Sequence, residues 1–166
     1  MPAKYILCFF LFLCACERSK IAVYRVPKEA PPISAPTVRW ETPRAWTELP
    51  ADGFRVASFS AGPAEISVVR LEGEAGGDLA NVNRWRGQIG LGPLEAGGLS
   101  SHAARISPAG RPMLLVDFEE RRSGKRLVAA IWRRSGDVWF FKMSGETAAV
   151  SKAKPDFMRF LESLKI

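Results

Sequence analysis

Between His102 and Met143 the chain runs in four short strand-like segments, His102–Ser107, Pro112–Glu120, Lys125–Arg134 and Asp137–Met143. Leu114, Val116 and Phe118 fall on one face of such a strand and Met113 and Leu115 on the other. Val138 and Phe140 likewise oppose Trp139, Phe141 and Met143. Successive strand residues point to opposite faces, so strands apolar on both faces must be covered on both. The links are Pro108-Ala109-Gly110, Arg121–Gly124 and Ser135-Gly136. Turns this short make neighbouring strands antiparallel. A sheet of this kind, with a layer on each side, is the strongest constraint in the sequence.

The covering layers come from two helical patterns. Leu79, Val82, Trp85 and Ile89 recur at helical spacing and predict a helix over Leu79–Ile89 whose apolar stripe faces the sheet, with Asn81, Arg84 and Gln88 directed elsewhere. Asp78 is placed to cap it and Gly90 to end it in a left-handed conformation. Gly90–Ser101, with four glycines and Pro93, reads as a long loop. Val150, Ala153, Phe157, Phe160, Leu161 and Leu164 predict a second helix over Thr147–Leu164. Pro155 either kinks it or starts its main part after a short turn. Upstream, Trp40–Pro50 reads as turns and an edge strand. Phe54–Ser60 and Ala64–Leu71, joined at Gly62-Pro63, form a hairpin. The expected fold is α+β: an antiparallel sheet of about six strands in the order hairpin, helix, four-strand meander, helix.

The amino terminus gives an address. Lys4 precedes an unbroken apolar run, Tyr5–Leu13, too short to span a membrane but suited to a secretory signal. Leu13-Cys14-Ala15-Cys16 resembles the bacterial lipobox. The resemblance implies cleavage before Cys16 and its lipidation; the alternative is an ordinary signal cut near Ala15. Two or three acyl chains anchor a protein stably, because each buried methylene adds ~0.8 kcal/mol. The expected organisation is a signal peptide over residues 1–15, a lipidated proline-rich tether over 16–38 and one α+β domain over 39–166. Pro27, Pro31, Pro32 and Pro36 favour an extended tether, reaching up to about 60 Å at ~3.1 Å per residue. The implied location is the cell envelope, anchored to the inner or outer membrane and facing the periplasm.

Chemistry is narrowed by what the domain lacks. The three cysteines are Cys8, Cys14 and Cys16, so beyond position 16 there is no thiol for a nucleophile, a redox pair or a zinc site. His102 is the only histidine and has no second His or Cys to complete a dyad. No nucleotide-binding glycine motif or GxSxG elbow occurs. No cofactor is expected. The net charge is +7, and removing residues 1–15 takes away one lysine and no acid. A basic exported chain meets lipid headgroups, envelope polymers and acidic protein faces. The export signal argues against nucleic acid.

Thr42-Pro43-Arg44-Ala45-Trp46, at the start of the domain, is similar to the P-x-x-W entry of PsbP-like and DcrB-like domains. Those also end in an aromatic strand, a glycine and a helix carrying Phe, as Trp139–Gly145 and the last helix do here. Asn81–Leu91 and Trp139–Gly145 also resemble segments of uncharacterised bacterial lipoproteins. The resemblance implies an α/β/α sandwich and an exported accessory or binding role, with no defined reaction. It carries over none of the metal or photosystem contacts of photosynthetic members.

The densest polar-aromatic cluster is Asn81, Asn83, Arg84, Trp85 and Arg86. As a recognition face it would offer guanidinium forks for carboxylate or phosphate, amides for further hydrogen bonds and an indole for stacking. As an ordinary amphipathic helix it would bury Trp85 and solvate the arginines. Glu72, Glu74 and Asp78 beside glycines lack calcium-loop spacing and read as a solvated turn. Arg121, Arg122, Lys125 and Arg126 ring a hairpin turn. Three functions follow in order: a lipid-anchored, non-enzymatic accessory module with an anionic protein or polymer partner; a binder of a small ligand or envelope polymer; and a sugar hydrolase using two carboxylates such as Glu65 and Asp117.

Overall fold

Seven strands form one fully antiparallel sheet in the computed structural model, which describes residues 38–166. They are β1 (Thr47–Leu49), β2 (Arg55–Ala61), β3 (Ala64–Glu72), β4 (Ala103–Ile106), β5 (Met113–Glu120), β6 (Lys125–Arg133) and β7 (Asp137–Glu146). Their order across the sheet is β1-β2-β3-β7-β6-β5-β4. The expected meander and hairpin are both present. The count exceeds six because the Trp40–Pro50 segment contributes its own edge strand, β1. The two halves of the sheet meet where β3 pairs with β7 from Glu65↔Ser144 to Glu72↔Asp137.

Among the described residues there are three α-helices, α1 (Asp78–Gln88), α2 (Leu99–His102) and α3 (Thr147–Glu162), and a 3-10 turn at Pro108–Gly110. Side-chain alternation divides the core in two. On one face, Ile66, Val68, Val128, Ala130, Trp132, Trp139, Phe141 and Met143 pack against Val150, Phe157, Phe160 and Leu161 of α3. Phe160 is the hub of this layer, with ring centroids 5.2 Å from Trp46, 6.0 Å from Phe141 and 6.1 Å from Phe59. Val38 is buried in the same cluster and Arg39 bridges to Lys165. On the other face, Val116, Phe118, Leu127, Ala129, Ile131, Val138 and Phe140 pack against Val82 and Trp85 of α1 and Ile89 just after it.

Gly145 permits the close approach of β7 to the turn between β2 and β3. A Cβ there would lie 3.2 Å from both the Ala64 Cα and the Pro63 carbonyl oxygen. Pro155 lies inside the continuous α3, on its exposed side. The carbonyl that loses its amide partner therefore faces solvent.

Several local expectations are corrected. Gly77, not Asp78, precedes α1, and Asp78 makes no cap hydrogen bond. It accepts instead from Arg133, at 2.6 Å from Nη2 and 3.0 Å from Nε. An ion pair across the fold satisfies the carboxylate better than the adjacent amides. Gly90 does end the helix with φ +88°. The Gly90 amide donates to Gly87 O and the Leu91 amide to Arg86 O, the paired bonds of a Schellman turn. The segment expected as an unstructured loop to Ser101 contains α2, so β4 starts at Ala103 rather than His102.

Candidate functional site: a cationic groove beside α1

The chain leaves β3, crosses its own sheet as α1 and re-enters at the far edge as β4. α1 thus packs over β5, β6 and β7. Among the described residues no helix covers the same face of β2 and β3, and a groove of about 360 Å3 lies there beside α1. Ser67, Val69 and Leu71 of β3 and Phe140 and Lys142 of β7 line its floor. Arg84, Trp85 and Gln88 of α1 form one wall, and Phe54 and Arg55 the other. Phe54, in that wall, is 69% exposed.

Three cations converge here and none of the groove-lining residues is acidic. Arg84 donates to the Asn81 side-chain oxygen at 2.8 Å, a neutral partner. Lys142 Nζ donates to Gln88 Oε1 at 2.8 Å, again neutral. Arg55 pairs with Asp52 at 3.4 Å, and among the described residues that exposed carboxylate is its one ionic partner. Burial, and then the Arg55 and Arg84 guanidiniums, push the Lys142 amine below the usual lysine range, while Glu65 acts in the opposite sense.

The expected recognition cluster is split by the fold. Asn81 is buried, against expectation; its amide donates to Ala75 O and Gly77 O, both at 2.7 Å, and so ties the preceding turn to the helix. Asn83 binds the following loop: its Nδ2 donates to Leu94 O and its Oδ1 accepts from the Leu94 amide. Arg86 donates to Gly92 O and lies 4.8 Å over the Phe118 ring. Trp85 is buried edge-to-face on Phe140, with centroids 5.4 Å apart. Of the five, Arg84 and the edge of Trp85 reach the groove. Arg55, Ser67 and Lys142 were not singled out from the sequence. A signal existed for Lys142, the one charge inside the apolar run Val138–Met143.

Other candidates resolve differently. Glu65 shares its face of β3 with Ser67 and Val69, on the α1 side. Asp117 alternates with Val116 and Phe118 and accepts from Lys154 of α3. The two carboxylates therefore lie on opposite faces of the sheet and do not form a pair. Glu74 and Asp78 both pair with Arg133, and among the described residues no cluster of acidic, His or Cys side chains is placed to hold a metal. Arg126 leaves the basic hairpin turn: its Nε and Nη2 grip Asp117 at 2.8 and 2.7 Å. His102 is exposed, with Nδ1 2.8 Å from Gly98 O. Cys16 lies outside the described residues.

No protein-family model matches the chain, and no curated protein matches it. Solved structures similar to it include a protein of Bacteroides thetaiotaomicron VPI-5482, at 9% identity and TM-score 0.49 over 77% of this chain. The match spans only 44% of that protein's length. The cyanobacterial PsbP (CyanoP) of Synechocystis sp. PCC 6803 is similar at 12% identity and TM-score 0.49, over 82% of this chain and 96% of that one. LpqN of Mycobacterium tuberculosis, described as involved in cell envelope biogenesis, is similar at 14% identity and TM-score 0.45, over 80% and 85%. A PsbP protein is thus among the structures this chain resembles, and at these identities the likeness is one of chain path alone.

Proposed function

We propose that this chain is a lipid-anchored, non-enzymatic accessory protein of the cell envelope that binds an anionic partner in the groove beside α1. The observation that carries the reading is the convergence of Arg55, Arg84 and Lys142 on a concavity whose lining contains no carboxylate. Lys142 is half-buried with a neutral partner, Gln88, beside the exposed Arg55 and Arg84, and an incoming anion offsets that burial cost while the partly apolar floor strengthens the attraction. The concavity favours a small ligand or a polymer segment over a flat protein face. The anchor rests on Cys16 and the lipobox resemblance. Among the described residues no helix is long and apolar enough to cross a membrane.

Crosslinking pull-down from intact envelopes tests the binding half. Arg84→Glu should lose the partner, while Arg122→Glu, on the exposed hairpin turn after β5, should retain it. Equal recovery with wild type and Arg84→Glu would sink the groove as the recognition site. Cys16→Ser tests the anchor: the protein should leave the membrane fraction, and retention after a high-salt wash would refute lipidation.

A further inference from the structure

The groove has two chemically distinct ends, and strand register orders them. On the α1 side of the sheet, Ser67 of β3 stands opposite Lys142 of β7, and Ser58 of β2 opposite Ser67. One step along the strands, Val69 stands opposite Phe140, and Leu71 opposite Val138 at the step after that. Gln88, at the end of α1, reaches Lys142, whereas Trp85, one turn earlier, packs on Phe140. Polar groups therefore gather at one end and apolar ones at the other, with Arg55 and Arg84 on facing walls. Beyond the polar end a recess of about 20 Å3 holds Ser58, Ser67, Lys142 and Ser144. The Ser58 hydroxyl is buried there without any hydrogen-bond partner.

We propose that the occupant of the groove is an amphipathic monoanion, its acidic head seated between Lys142, Arg55 and Arg84 and its apolar body laid over Val69, Phe140 and Leu71 toward Phe54. The inference rests on the reading above that the groove takes an anion, and adds the ligand's class and direction. Charge complementarity selects the head: Arg55, Arg84 and Lys142 face it, against Glu65 of β3, which borders the recess. The floor selects the body, because Val69, Leu71 and Phe140 offer a strip with no polar side chain to satisfy, and the exposed Phe54 extends it. A small hydrophilic anion leaves this strip wet. A cationic amphiphile of the same length meets three like charges. Seating the head also relieves the lysine, whose amine burial and the two guanidiniums otherwise hold below its usual range.

The test uses the full-length, membrane-anchored protein in lipid nanodiscs and two photoreactive decanoates. One carries the diazirine at the end of the chain and the other carries it beside the carboxylate. The chain-end probe should label Leu71, Val69 or Phe54, and the head-end probe Ser67, Gln88 or Ser144, each label assigned to its residue by fragment-ion mass spectrometry. Excess decanoate should abolish labelling, while acetate and decyltrimethylammonium should not. Lys142→Met should reduce labelling about tenfold, the loss expected for one charge-assisted hydrogen bond. Arg122→Glu should leave it unchanged. Labelling scattered over the surface, equal competition by decyltrimethylammonium, or the same residues labelled by both probes would overturn the proposal. Should Arg84→Glu lose its partner in pull-downs while decanoate fails to label the groove, the site still binds an anion but the amphiphile is wrong.

Discussion

Asn83 and Leu94 exchange two hydrogen bonds, Nδ2 to the Leu94 carbonyl at 3.1 Å and the Leu94 amide to Oδ1 at 2.7 Å. The side-chain amide imitates a peptide group in a strand ladder and binds the glycine-rich segment after α1 back onto the helix. Arg86 adds a third tie through Gly92 O.

Replacing Asn83 by Ala strands both the amide and the carbonyl of Leu94. The expected cost is ~1–3 kcal/mol, because a half-buried donor and acceptor lose their partners. Amide hydrogen exchange should accelerate over residues 91–98 and remain slow in β5–β7. Unchanged exchange at Leu94 would show that the loop is held by other contacts.

Asp117 joins three elements. Burial alone would raise its carboxyl, but hydrogen bonds from Arg126 and Lys154 outweigh that and hold it below the usual aspartate range. A carboxyl with a depressed folded value contributes stability above its unfolded value of ~3.9 and loses it as pH falls through the folded one. Asp117→Asn should therefore cost ~1–2 kcal/mol at pH 7, discounted for the partial exposure of all three groups. The deficit should shrink as both proteins are acidified below the ordinary aspartate value of ~3.9 and through the lower folded one. A deficit independent of pH would assign the effect to packing instead.

Phe157 is fully buried against the sheet from α3. Phe157→Ala should cost ~3–5 kcal/mol through lost burial and the cavity left behind. Denaturant midpoints measure it directly, and a change under about 1 kcal/mol would mean that the α3 layer collapses freely into the gap.

Lys142 carries the opposite sign. Its folded amine sits below the ordinary lysine range, so the folded state binds fewer protons and the unfolded state is favoured wherever both are protonated. The penalty is complete below the depressed value and disappears above ~10.4, the unfolded one. Lys142→Met should raise the melting temperature at pH 7, and the gain should vanish near pH 11, above the ordinary lysine value of about 10.4. A melting temperature lowered at pH 7 would show that the bond to Gln88 outweighs desolvation.

Much of this architecture follows from local pattern. The meander is legible because Leu114, Val116 and Phe118 oppose Met113 and Leu115, and because turns of two to four residues admit only antiparallel neighbours. The stripe from Val150 to Phe160 specifies which face of α3 is buried, and Trp139, Phe141, Phe157 and Phe160 do share one core. Gly90 marks the end of α1, since a left-handed residue there suits glycine. These features depend on residues close in sequence, where the chain's own geometry leaves few alternatives.

The groove depends on pairing between distant segments. Nothing local states that β3 lies beside β7, yet that pairing sets Ser67 against Lys142, 75 positions apart, and brings Arg55 and Arg84 to facing walls. The same blindness covers Asn81 and Asp78. Helical periodicity turns Asn81 away from the apolar stripe, but the carbonyls of Ala75 and Gly77 offer partners that draw its amide inward. Asp78 reads as a cap until Arg133 arrives from β6. The sequence by itself determined the elements and their buried faces, because period and turn chemistry act over a few residues. Only the tertiary structure decided which polar groups meet, because a hydrogen bond or ion pair goes to whichever partner the packed chain brings within about 3 Å.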